Sequence, residues 1–185
     1  MARVFLFALI SFSLNMIVVT KLGLPGGPQK LTHDTADTVK VFQSFPYVVS
    51  VTDSNNDTIF ECMEANRTEF DPVAKTATFV WIFQAPDSPD RVEVPLPQKA
   101  GQEPGTVEFL DPFDQTLREG KIYYTDYETC AILDFEVYGH QCALWVRRDV
   151  VKSLSKECID QFEDTCGVVV PENRRIHCGD EGIKK

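Results

Sequence analysis

Apolar and polar residues alternate with a period of two through most of this chain, and the period changes only near its ends. Tyr47-Val48-Val49-Ser50-Val51-Thr52 reads as a strand, Asp53-Ser54-Asn55-Asn56-Asp57 as its turn, and residues 58–70 as a long returning strand closed by Asp71-Pro72. Residues 75–83 form the clearest strand, dense in β-branched and aromatic side chains. Weaker strands follow at 91–96 and 106–110, then at 121–126, 129–135 and 141–146, with Gly120 and Gly139 supplying turn chemistry.

Two segments take a helical period instead. Residues 34–43 carry Ala36, Val39 and Phe42 near three-residue spacing, and residues 155–167 bring Cys158, Ile159, Phe162 and Cys166 to one face before Gly167 stops the helix. Leu24-Pro25-Gly26-Gly27-Pro28 is incompatible with regular structure, so residues 21–33 are expected to be a flexible lead-in. The fold class is all-β: eight antiparallel strands joined by turns too short for crossover helices, most economically closed into an up-and-down barrel without edges. A sandwich is the alternative. A short N-terminal helix and a C-terminal helix packed outside complete one domain over residues 34–185.

The first twenty residues change the compartment. Arg3 precedes an apolar run from Val4 to Ile10 that continues, interrupted by Ser11, Ser13 and Asn15, to Val19. No stretch of about 20 uninterrupted apolar residues spans a bilayer, so residues 1–20 read as a signal peptide rather than an anchor. Its removal takes away one base and leaves 17 Lys and Arg against 28 Asp and Glu, a net charge of −11. That balance repels phosphate backbones and excludes a nucleic-acid binder. Sequons at Asn56 and Asn66 agree with passage through the secretory pathway. A secreted, monomeric protein without a membrane-bound form is expected.

Six cysteines, Cys62, Cys130, Cys142, Cys158, Cys166 and Cys178, read as disulfides in such a chain. Zinc is the competing reading, but no Cys-x-x-Cys pair occurs and His177 beside Cys178 chelates poorly, so no metal is expected. His33, His140 and His177 neighbour no nucleophile, and no hydrolase, protease or phosphate-loop motif occurs. Neither an enzyme nor a cofactor is expected.

The cysteine-bearing strands resemble tick salivary lipocalins, the histamine-binding-protein family. The residues that carry the likeness are Cys130-Ala131-Ile132, Ala143-Leu144-Trp145, Cys158, and the outer cysteines Cys62 and Cys178, and it covers residues 34–178. It implies an eight-stranded lipocalin barrel with pairs Cys62–Cys178 and Cys130–Cys158, leaving Cys142 with Cys166; the sequence alone allows fifteen pairings. It also implies that acids in the two strand motifs meet a ligand's ammonium in amine-binding members. Here both positions are alanine, Ala131 and Ala143, which argues against histamine or serotonin.

Alternation places Ala77, Phe79, Trp81 and Phe83 on one face, a candidate lining, though aromatic rings more often simply fill a core. With Leu133 and Trp145 nearby, the lumen suits a fatty-acid-derived molecule or a sterol, and the resemblance implies a leukotriene, fatty acid or sterol captured from a host. If Lys121 and Tyr123 point inward, they can hold a carboxylate head, while surface exposure is the ordinary state of lysine. Glu61, or Asp53, keeps a biogenic amine as an alternative ligand. A host immune protein recognised through the proline-containing 85–105 region is the third reading.

Overall fold

The computed structural model describes residues 24–55, 59–84, 91–170 and Cys178. The putting together of strands follows the chain: β1 (Tyr47–Asp53), β2 (Glu64–Asp71), β3 (Thr76–Gln84), β4 (Arg91–Ala100), β5 (Thr106–Leu110), β6 (Leu117–Thr125), β7 (Cys130–Glu136) and β8 (His140–Arg147) pair in sequence order. β8 returns antiparallel to β1, so the sheet closes as a barrel. Helix α1 (Thr38–Ser44) covers one end, and α2 (Lys156–Cys166) packs outside. The signal peptide and Asn56 lie outside the described residues.

Several boundaries differ from expectation for local reasons. β2 begins at Glu64 rather than Thr58, because residues 59–62 form a turn in which Cys62 takes φ 57°. β4 runs through Pro95 and Pro97 to Ala100, longer than its prolines promised. On its β5 side pairing begins only at Gln98, so the missing proline donors interrupt no ladder there. Helix α1 starts at Thr38, since Asp37 caps it by accepting from the amides of Val39 and Lys40.

Alternation along the strands builds two cores. The inner one, including Val48, Ala65, Phe79, Trp81, Ile122, Ala131 and Trp145, fills the barrel. The outer one, including Val49, Ile132, Leu144, Val146 and Phe162, lies between the barrel wall and α2. All three disulfides have the pairing that the resemblance implied, Cys62–Cys178, Cys130–Cys158 and Cys142–Cys166. The last two pin α2 to β7 and β8 near both its ends.

The segment from Leu24, expected to be flexible, is instead tied to the C-terminal turn of α2. Gly27 donates its amide to the Thr165 carbonyl and Gln29 to that of Asp164, both at 3.0 Å. These bonds satisfy carbonyls that a helix end leaves unpaired. The approach demands glycine, because a Cβ on Gly27 would lie 2.0 Å from the Asp164 oxygen.

Candidate functional site

A cavity of about 70 Å³ lies inside the barrel at the α1 end. Helix α1 and its cap contribute Val41, Phe42 and Phe45, and every strand contributes at least one inward residue: Val48, Ala65, Phe79, Trp81, Gln98, Val107, Ile122, Ala131, Leu133 and Trp145. None of these carries a charge. Gln98 and the indoles of Trp81 and Trp145 supply the polar groups among the described lining. An ammonium or a carboxylate entering this space would lose its hydration against walls that offer no counter-charge.

Helix α1 is held over the cavity by few polar contacts. The Asp37 amide donates to the Tyr127 hydroxyl at 2.8 Å, and the Thr38 hydroxyl donates to the Thr106 carbonyl at 3.0 Å. Arg67 donates to the Phe42 carbonyl and, at 2.9 Å, to that of Gln43. The opposite end of the barrel is filled by rings. Phe60 reaches in from the turn before β2, 5.5 Å from Trp81, 5.4 Å from Phe135 and 6.1 Å from Phe83, and is wholly buried.

Of the residues selected from sequence, Phe79, Trp81, Ala131, Leu133 and Trp145 line the cavity. Ala143 is buried in the same inner core but beyond the cavity, opposite Asp53. Phe83 stands in the far aromatic cluster, 6.4 Å from Phe113.

Lys121 and Tyr123 do not point inward. Their neighbour Ile122 does, and Lys121 is exposed with its ammonium 4.9 Å from the Tyr123 ring centre. A register shift between Ile122 and Tyr124 then sets both tyrosines against the outer core. Glu61 belongs to the turn before β2, apart from the cavity lining.

Two buried acids next to the barrel wall, Glu64 and Asp134, face outward, whereas buried Asp53 lies opposite the inward Ala143 and so shares its face. Glu64 accepts from the Tyr47 hydroxyl at 2.7 Å and pairs with Arg91 at 3.3 Å and Arg148 at 3.4 Å. Asp134 sits opposite Lys121 and 2.8 Å from His140, and burial pushes its carboxyl up to about 6. Cys130 and Cys158 lie beside Asp126, but both sulfurs are committed to a disulfide, so this cluster is no metal site.

Sequence reasoning missed the α1 contribution. Its signal was the Val41, Phe42 and Phe45 spacing, which puts three apolar groups on one helical face.

Residues 29–181 match the family model of the tick histamine binding protein. The chain belongs to that family. No curated protein matches the chain in sequence. Among solved structures the barrel is similar to the AM182 serotonin complex, with 14% identity, 76% of this chain and 92% of that chain covered, and a TM-score of 0.56. It is also similar to japanin from Rhipicephalus appendiculatus bound to cholesterol, with 12% identity, coverage of 77% and 99%, and a TM-score of 0.50. Apocrustacyanin C1 follows at 16% identity, coverage of 82% and 87%, and a TM-score of 0.50. At these identities the likeness establishes the lipocalin fold alone and leaves the ligand to be argued from the residues.

Proposed function

We propose that this member of the tick histamine-binding family is secreted and sequesters a small, uncharged, mainly apolar host mediator in its barrel. The observation that carries the reading is the absence of any ionisable side chain among the described residues lining the cavity. With Lys121 and Tyr123 outside, a fatty acid or leukotriene carboxylate loses the partner first expected for it, so a neutral, sterol-like molecule is preferred. Burial would supply roughly 25 cal/mol per Å² of apolar area. Three disulfides suit an oxidising compartment, and the exposed Asn66 suits a glycan.

Size constrains the guest. A cavity of about 70 Å³ is half of the roughly 150 Å³ that holds benzene, so a sterol enters only by moving lining side chains. Phe42 and Phe45 are the candidates, because α1 is held by a few contacts rather than by the strand ladder.

Calorimetry of the purified protein with cholesterol, palmitate, histamine and serotonin tests the ligand class. Heat with cholesterol and none with the amines is expected. Amine binding abolished by Asp53→Asn, at the buried acid opposite Ala143, would overturn it. Organic extraction and mass spectrometry of the secreted protein supply an independent check.

A second reading, docking of a host protein, has one observation in its favour. Where β4 and β5 part, Val94, Pro95, Pro97, Leu110, Pro112 and Gln115 line a groove of about 360 Å³. Plasma pull-down that is insensitive to a filled barrel would favour that reading.

A further inference from the structure

Two buried polar atoms inside the barrel have no hydrogen-bond partner among the described residues, the indole Nε1 of Trp145 and the hydroxyl of Ser50. Trp145 is 6% exposed and Ser50 is 0% exposed, so bulk water does not serve them. They are also neighbours. Ser50 on β1 lies directly opposite Trp145 on β8, and residues opposite one another in a ladder present their side chains to the same face. That face is the interior, because Trp145 lines the cavity; Ser50 shares the face without itself being part of the lining.

Buried indole N–H groups ordinarily find an acceptor, and leaving one unmade is unfavourable. Packing explains where Trp145 sits without explaining its orphaned donor. Trp81 stacks on it with ring centres 6.5 Å apart and planes 26° from parallel, which fixes the indole but offers it no acceptor. The Ser50 backbone is fully engaged with the turn before β2: its amide donates to Met63 and its carbonyl accepts from Cys62, both at 2.9 Å. Only its side chain is left over.

We infer that Ser50 and Trp145 form a neutral anchor for one oxygen of the guest, an uncharged hydroxyl or carbonyl. The indole N–H donates to that oxygen. The serine hydroxyl donates to a carbonyl, or accepts from a hydroxyl whose lone pair takes the indole proton. A water at this rung would meet two protein partners where buried waters usually have about three, so a ligand oxygen replaces it readily. The inference rests on the reading of an uncharged guest and sharpens it, from any apolar molecule to one with a single polar end seated between β1 and β8.

The test uses probes far smaller than a sterol that, like it, exceed the empty cavity and enter by moving lining side chains. Cyclohexanol and methylcyclohexane are similar in bulk and differ in the hydroxyl. Binding is followed by NMR of the intact protein labelled at the indole nitrogens of Trp81 and Trp145, with the Trp145 signal assigned through Trp145→Phe. Cyclohexanol should bind about 10-fold tighter than methylcyclohexane and move the Trp145 indole N–H resonance downfield, while methylcyclohexane leaves it in place. Ser50→Ala, a small change that keeps the strand, should shrink the preference several-fold, and Trp145→Phe should abolish it. Equal binding of both probes would overturn the anchor but leave the uncharged-guest reading standing. So would a preference that survives Ser50→Ala and Trp145→Phe. Binding of neither probe would sink both.

Discussion

Phe42→Ala tests whether α1 is the element a guest must displace. Phe42 is 3% exposed, lines the cavity, and lies 6.1 Å from Phe79. Removing a buried ring from a packed site destabilises by about 3–5 kcal/mol. It also takes the cavity from about 70 Å³ towards the roughly 150 Å³ of a site that holds benzene. In the native protein a large guest has to expel this ring, forfeiting about 1.5–3 kcal/mol of its burial. The variant has already lost that contact. Cholesterol should therefore bind it roughly 10- to 100-fold more tightly, and its melting temperature should recover more on ligand addition than that of the native protein. Calorimetry and thermal unfolding on matched samples read both effects. Unchanged cholesterol affinity, with a gain from Phe60→Ala instead, would place the opening among the rings at the far end and refute the argument.

Three further outcomes follow from the fold. Gly27→Ala would put a Cβ 2.0 Å from the Asp164 oxygen, so about 1–3 kcal/mol should be lost in urea unfolding, whereas Gly26→Ala, 3.4 Å from its nearest neighbour, should be mild. Removing Cys62–Cys178, separated by 116 residues, should destabilise by about 5 kcal/mol, against about 3.5 for Cys142–Cys166, separated by 24; equal losses in serine variants would contradict loop closure as the cause. Asp134, pushed up to about 6 by burial, holds a proton when folded that the unfolded chain releases near about 3.9. Its contribution therefore falls as pH rises from about 4 to 6, by at most about 3 kcal/mol, and is constant above. Asp134→Asn should remove that slope in urea titrations at pH 4.5 and 7.

Alternation made the barrel legible, because a closed antiparallel sheet with a wet outside and a dry inside repeats every two residues. Of the face it selected on β3, Phe79 and Trp81 line the cavity and Ala77 and Phe83 do not, while Leu133 and Trp145, which came with the motifs of the resemblance, also line it. Alternation could not give phase where a strand slips. The shift between Ile122 and Tyr124 breaks the period in β6, and nothing in Lys121-Ile122-Tyr123-Tyr124 announces which member faces inward. Residues 59–62 read as strand because Ile59 and Phe60 are strand formers, yet a turn there lets Phe60 fold over the barrel end. The disulfides were reached through resemblance, for spacing alone leaves every pairing open. Gly26 and Gly27 looked like breakers and serve instead as a contact surface for α2.

The distribution of charge then argues for what the lumen accepts. Two sets of buried ion pairs next to the barrel wall lie on its outer side: Glu64 with Arg91 and Arg148, and Asp134 with His140 opposite Lys121. A strand residue points one way or the other, so an acid committed to an outer pair is lost to the interior. The strand motifs in which the family resemblance sets amine-binding acids carry Ala131 and Ala143, and both alanines are inward and buried. An organic cation at the cavity would thus meet no counter-charge among the described lining residues, since Asp53 lies beyond them beside Ala143. Ala131→Asp, at the one of these two positions that lines the cavity, would put a carboxylate within it. That change should destabilise the empty protein by several kcal/mol and create histamine binding detectable by calorimetry; a stable variant still blind to histamine would mean that lost charge is not what set the ligand class.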